Sequence, residues 1–204
     1  MHSVLASIAS FVMRNVLADF LAAMKGERNF RKTQSELLST LEDNPPTSPE
    51  IGDTTIASHT DREGARRKSL EEKARSNLTV VSVCSTLVFA GLSFLIGQGI
   101  TVRPHTRIIL VTLFLLQVAY FAGSVVCALK ALQITRTWVV STDEERQPAD
   151  FLRGLRLRYL ELNELETNIK ANWTSVSFTC LRNAVISLLF FAATVGVLIA
   201  RPTK

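Results

Sequence analysis

The side chains able to do chemistry in this sequence are few, and their spacing joins none of them into a reaction centre. His2, His59 and His105 fall in three unrelated segments, so no imidazoles share a helix face as a metal site requires. No His-Glu-x-x-His, Gly-x-Ser-x-Gly, phosphate-binding glycine loop or paired-cysteine motif occurs. Ser and Glu are plentiful, but nothing sets one beside a base. Enzyme activity is therefore not expected, and no cofactor or metal is assigned. The cysteines, Cys84, Cys127 and Cys180, are odd in number, which does not suit a disulfide framework. They read as small apolar residues, with palmitoylation of Cys180 as the alternative. The one strongly polar side chain midway along a long uncharged run is Gln117, whose amide can cross-link helices or line a pore.

The elements that must position these residues are long apolar helices. Leu78–Gln98 has 21 residues and no formal charge, Ile108–Leu129 has 22, and Asn183–Ala200 has 18. The first is about 31 Å of helix, the hydrocarbon thickness of a bilayer. Three such runs in 204 residues point to an all-α integral membrane protein with three transmembrane helices. The net charge of +5 raises the question of nucleic acid. However, the bases sit beside the apolar runs, alternate with acids, and carry no nucleic-acid-binding signature. Anionic lipid is the better partner, and Arg66, Arg67, Lys68, Lys73 and Arg75 form a basic collar at the membrane surface ahead of the first span.

Lys and Arg also set an orientation. Met1–Asn77 holds 11 and Lys130–Arg182 holds 8, against Arg103 and Arg107 in the turn and Arg201 and Lys204 in the tail. The N-terminus and the middle segment are then cytoplasmic, and the C-terminus lies outside. On that topology the sequons at Asn77 and Asn172 are out of reach of glycosylation. Arg14 and Asp19 within Met1–Met24 argue against a signal peptide.

The organisation expected is a helical region over 1–43, a flexible linker over 44–60 and a transmembrane helical domain over 61–204. Met1–Met24 is amphipathic, with Val4, Leu5, Ile8, Phe11, Val12, Val16, Leu17, Phe20 and Leu21 at helical spacing, and it suits the interface better than a fourth span. Lys25–Glu42 continues as a polar helix with a patch at Leu37, Leu38 and Leu41. Asn44–Thr55 carries three prolines and a glycine, which break it.

A cytoplasmic helix over about 151–182 places Leu155, Tyr159, Leu162, Leu165, Ile169, Trp173, Val176 and Cys180 in one stripe. Arg156, Arg158, Glu161, Asn163, Glu164, Asn168 and Lys170 take the other face. The stripe packs either on the chain's own Ser69–Arg75 helix or on copies of itself. Within the spans, small residues recur every four positions: Ala119, Gly123 and Cys127; Ala192, Gly196 and Ala200; Ser82, Thr86 and Ala90. Such faces let helices approach closely, in a tight bundle or in a homo-oligomer. No Asp, Glu, Lys, Arg or His lies within a span, which counts against a pump or coupled transporter.

The basic helix RRKSLEEKARSNL, the two-span hairpin and the asparagine-bearing RYLELNELETNIKANW together resemble small bacterial transmembrane effectors of anti-phage systems. These are the Pycsar-type, SLATT-like and retron-linked membrane effectors, and the resemblance covers roughly Arg66–Ala200. The third span and the Met1–Met24 helix depart from the simplest two-span pattern. The resemblance implies an inner-membrane protein that oligomerises when triggered and permeabilises the membrane. Its trigger would be a nucleotide signal or a protein partner acting on the cytoplasmic helices, since no separate sensing domain is evident. The alternatives are a constitutive anchor for a cytoplasmic partner and a small channel.

Overall fold

The computed structural model describes residues 2–43, 52–97, 104–142 and 144–200. Among them every regular element is helical: α1 (His2–Asp43), α2 (Asp53–Gly97), α3 (Pro104–Gln133) and α4 (Ala149–Ala200), with one 3-10 turn at Glu144–Arg146. Helices α2, α3 and α4 are long and apolar enough to cross a membrane, which suggests a multi-pass membrane protein.

Helix α1 joins the amphipathic and polar segments without a break. The side chains of Val4, Leu5, Ile8, Phe11, Val12, Val16 and Leu41 fall outside those described, while Leu17 and Leu21 are exposed. Helix α2 corrects the expected linker, because it begins at Asp53 rather than Asp61. Its first turn closes on the Gly52 carbonyl, which accepts from the N–H groups of Thr55 at 3.0 Å and Ile56 at 3.3 Å. Asp53 places a negative charge at the helix N-terminus, where the dipole favours it. Ile56, only 5% exposed, anchors the turn in the interior. Residues 44–51, the remainder of the linker, lie outside the described chain. Pro104 opens α3 at a position where a missing N–H costs nothing, and Lys130 closes it on the favourable side of the dipole. With no proline, α4 runs 52 residues through the Leu155–Cys180 stripe and the third apolar run.

The chain packs as two compact units assembled from non-consecutive stretches. One comprises Met1–Phe20, Ala74–Leu129 and Ser175–Lys204, and the other Leu21–Lys73 and Lys130–Thr174. This differs from the division into consecutive regions that the sequence order invites.

In the first unit, Val81 and Val88 of α2, Tyr120 and Phe121 of α3, and Leu181 and Ala184 of α4 form the core. Phe89 and Phe114 meet edge to face with ring centroids 6.3 Å apart. The outside is apolar as well: Val83, Leu87, Phe89, Val111, Leu115, Phe178, Leu189 and Phe190 are all more than half exposed. A water-soluble protein rarely presents so continuous an apolar belt. Hydrocarbon outside these helices matches it.

The second unit is filled by Ala23, Ile56, Ala131, Ile134, Leu155, Leu162, Ile169 and Trp173. Its strap, 134–142 and 144–148, is tied down by polar side chains. Asn163 accepts from the Trp138 N–H at 2.8 Å and donates to the Trp138 carbonyl at 2.9 Å. Arg67 donates to the carbonyls of Arg136 at 2.7 Å and Ile134 at 3.2 Å. Glu144 accepts from the Ser141 N–H at 2.6 Å and from the Tyr159 hydroxyl at 2.8 Å. The Ser141 bond first, and then the Tyr159 bond, hold the Glu144 carboxyl below its ordinary range. Burial, and then the Glu144 bond and charge, push the Tyr159 phenol up to about 12.

Asn163→Ala is therefore expected to speed proteolytic cleavage within the strap and to cost about 1–2 kcal/mol, with helical content unchanged. The pH dependence follows from the two shifts. A lowered carboxyl contributes stability that is lost as pH falls through its folded value. A raised phenol contributes stability that is complete below about pH 10 and lost as pH rises towards 12. Strap cleavage in the wild-type protein should thus be slowest between these limits, and a flat profile would remove Glu144 and Tyr159 from its support.

Candidate functional site

The polar side chains of the first unit gather inside it, on helices whose outer faces are apolar. Ser124 of α3 and Ser177 of α4 are fully buried, and each hydroxyl donates to the other's carbonyl at 3.0 Å. Asn77 of α2 donates to the Ser177 hydroxyl at 3.1 Å, so three helices meet in one satisfied polar layer. Small residues permit this approach. A Cβ built on Gly123 would stand 3.4 Å from the Cys180 sulfur, and Cys127 and Ala128 are wholly buried one turn further on.

Two turns back along α3 the layer is no longer satisfied. Gln117 is fully buried, and neither its amide oxygen nor its amide nitrogen has a hydrogen-bond partner among the described residues. On α4, Ser187 is 5% exposed and its hydroxyl is likewise unpaired. The two helices run antiparallel, with the register fixed by Gly123 against Cys180. Seven residues forward on α4 and six back on α3 are each about 10 Å, which brings Ser187 and Gln117 to the same level to within a turn. An unpaired buried amide costs about 1–3 kcal/mol, more in hydrocarbon, so packing alone does not account for it. The seam therefore runs from a closed polar layer to an open one.

A second polar cluster lies in the other unit and is structural. Glu166, 1% exposed, accepts from Arg31 and, at 3.0 Å, from Gln34, both on α1. One turn along α4, Lys170, also 1% exposed, donates to Glu71 of α2. Trp173 donates its indole N–H to Glu27 of α1 at 2.9 Å. These contacts tie α1 and α2 to α4 by charge and hydrogen bonding as well as by apolar burial.

The residues singled out by the sequence separate accordingly. Leu155, Leu162, Ile169, Trp173 and Val176 are buried within the single chain, and Tyr159 is half-buried, so these side chains pack inside it. Lys170 belongs to the interior rather than to the solvated face, because Glu71 neutralises it. Of the small faces, Gly123 is turned inward while Ala119 is exposed. Ala192 and Gly196 are exposed, with open space where a Gly196 Cβ would be, and the Ala200 side chain lies outside those described. Ser82, Thr86 and Ala90 also face outward.

The basic collar divides as well. Arg66 donates to Asn168 at 2.8 Å and Arg67 holds the strap, whereas Lys68, Lys73 and Arg75 are exposed and form no ion pair among the described residues. Sequence reasoning missed Glu166, Ser187 and the α1 contacts. The only available signal was a Glu and a Ser continuing the buried face of α4 at steps of three or four. Comparison with known proteins gives no match, whether to a family model, a curated protein or a solved structure.

Proposed function

We propose that this chain is a non-enzymatic membrane effector whose copies assemble and permeabilise the bilayer, in the manner of the small inner-membrane effectors of anti-phage abortive infection that its sequence resembles. The observation that carries this reading is the polar seam ending at Gln117. No group among the described residues hydrogen-bonds to its amide. Should the three helices separate and re-pack between copies, Gln117, Ser124, Ser177 and Ser187 would line an aqueous path and exchange an unpaired state for a hydrated one. The exposed Ala192 and Gly196 face gives a second copy a close approach. Lys68, Lys73 and Arg75 suit anionic headgroups on the cytoplasmic side.

Overproduction or triggering of the protein in cells is expected to collapse the membrane potential within minutes and admit an impermeant dye. Reporter fusions after residues 50 and 145 should read as cytoplasmic and a fusion at Lys204 as external. Unchanged potential at high membrane expression, or an internal C-terminus, would overturn this reading. A second reading, a constitutive anchor holding a cytoplasmic partner, is supported by the burial of the α4 stripe within the single chain.

The two glycines separate packing within a chain from packing between chains. Gly196→Leu fills open space and should leave the monomer's thermal stability unchanged while reducing the particle size in mild detergent. Gly123→Leu drives carbon atoms into Cys180 and should lower stability by about 1–3 kcal/mol. Equal effects of both on stability, with particle size constant, would place no copy against the Gly196 face.

A further inference from the structure

The second unit contains a cavity that the permeabilisation reading does not use. It has a volume of about 400 Å³ and lies between the start of α2, the strap and the first turns of α4. Ligand pockets begin at about this size. Two aromatic side chains form part of its wall: Trp138 and Tyr159 stand with ring centroids 6.2 Å apart and planes inclined by 33°. Both are fixed in place. Asn163 grips the Trp138 backbone from both sides, and Glu144 holds the Tyr159 hydroxyl, so the aromatic wall is preorganised.

The polar lining is acidic, although the chain as a whole is basic. Asp53, Asp61 and Glu145 face the cavity against a single cation, Arg156. Asp53 is engaged by Arg153 at 3.2 Å, but Asp61 and Glu145 form no ion pair among the described residues. The remaining lining, from Ile56, Ala57, Val139, Val140 and Leu160, is apolar.

From this arrangement we infer that the cavity is a binding site for a small organic cation: an amine with an apolar body that lies against Trp138 and Tyr159 and a positive charge directed to Asp61 and Glu145. Aromatic faces attract a cation through their quadrupole, and the effect grows when solvent is excluded. The carboxylates add a Coulomb attraction that salt weakens. Anions are disfavoured by the same charges. The site reaches three chain segments at once, so an occupied cavity would fasten the strap to α2 and α4.

The test uses the full-length protein in detergent, with tetramethylammonium and spermidine as cationic probes and tert-butanol as the uncharged counterpart of the first. Isothermal titration should show saturable binding of at least one cation and none of tert-butanol. Affinity should fall about tenfold in Trp138→Ala. It should fall by a similar factor in the Asp61→Asn, Glu145→Gln double variant, whose exposed positions leave the fold intact. Trp138→Phe keeps an aromatic wall and should bind at an intermediate level. Absence of saturable binding by either cation, equal binding of tert-butanol, or unchanged affinity in the double variant would each overturn the assignment. None of these outcomes depends on whether the protein depolarises membranes.

Discussion

Glu71→Ala is expected to destabilise the unit that contains Lys170 by about 3–5 kcal/mol, whereas Lys170→Met should cost no more than about 1 kcal/mol. The asymmetry comes from burial. The Lys170 side chain is 1% exposed, and that of Glu71 is 35% exposed. Removing the carboxylate leaves an ammonium in the interior with its principal counter-charge gone. Removing the ammonium leaves a carboxylate that reaches water and keeps Arg67 at 3.9 Å. Methionine nearly matches the lysine stem in volume, so the interior around Leu162 and Ile169 stays filled. The double variant Glu71→Ala, Lys170→Met should recover most of the loss, since no buried charge remains. Urea or thermal unfolding in detergent, followed by Trp173 fluorescence, reads all three. Equal costs for the two single variants would mean that Lys170 reaches solvent, and would remove the buried pair from the account of what holds α2 to α4.

The long helices were legible because they obey a length rule. An uncharged run of 21 or 22 residues has few structural solutions; α2 includes the first run as far as Gly97, and α3 contains the second. The stripe of α4 was legible for a similar reason: Leu155, Leu162, Ile169 and Val176 repeat every seven residues, and all are buried. The boundary of α2 was not. Asp53–Thr60 is rich in Thr, Ser and His, weak helix formers that a nearby proline-rich stretch makes look like linker. Burial of Ile56 overrides that local preference, and the local sequence does not contain the neighbours that bury it.

The candidate site was half legible. Gln117 stood out by type, as a lone amide in an apolar run. That it has no partner depends on what faces it from α2 and α4, which one helix's sequence does not contain. Glu166 and Lys170 were hidden for the opposite reason. Charged residues on a helix read as solvated unless their counter-ions are known, and Arg31 lies 135 positions from Glu166 and Glu71 lies 99 from Lys170. The small-residue repeats show the same limit. Gly123 and Gly196 sit in identical four-residue patterns, yet one meets Cys180 and the other meets open space. Spacing fixes which residues share a face, but the neighbours decide whether that face turns inward.

Gln117→Leu should raise stability and abolish permeabilisation, a pairing that a purely structural amide does not produce. Both polar atoms of Gln117 are buried without partners, so replacing them with carbon removes an uncompensated desolvation of about 1–3 kcal/mol. Leucine is close to glutamine in volume, so the neighbouring core around Tyr120 and Phe121 need not move far. The midpoint of detergent or thermal unfolding should therefore rise. In cells the same variant should reach the membrane in normal amount and assemble to the same particle size, but leave the membrane potential intact, because an apolar ring at that level gates a pore by excluding water. Ser187→Ala should act in the same direction with a smaller effect, since it removes one unpaired hydroxyl rather than a whole amide. Gln117→Asn keeps the amide and should retain depolarisation. If Gln117→Leu instead destabilises the protein, the amide has a partner within the bundle and works as a helix cross-link. If stability rises while depolarisation persists, water and ions take a path that does not pass Gln117.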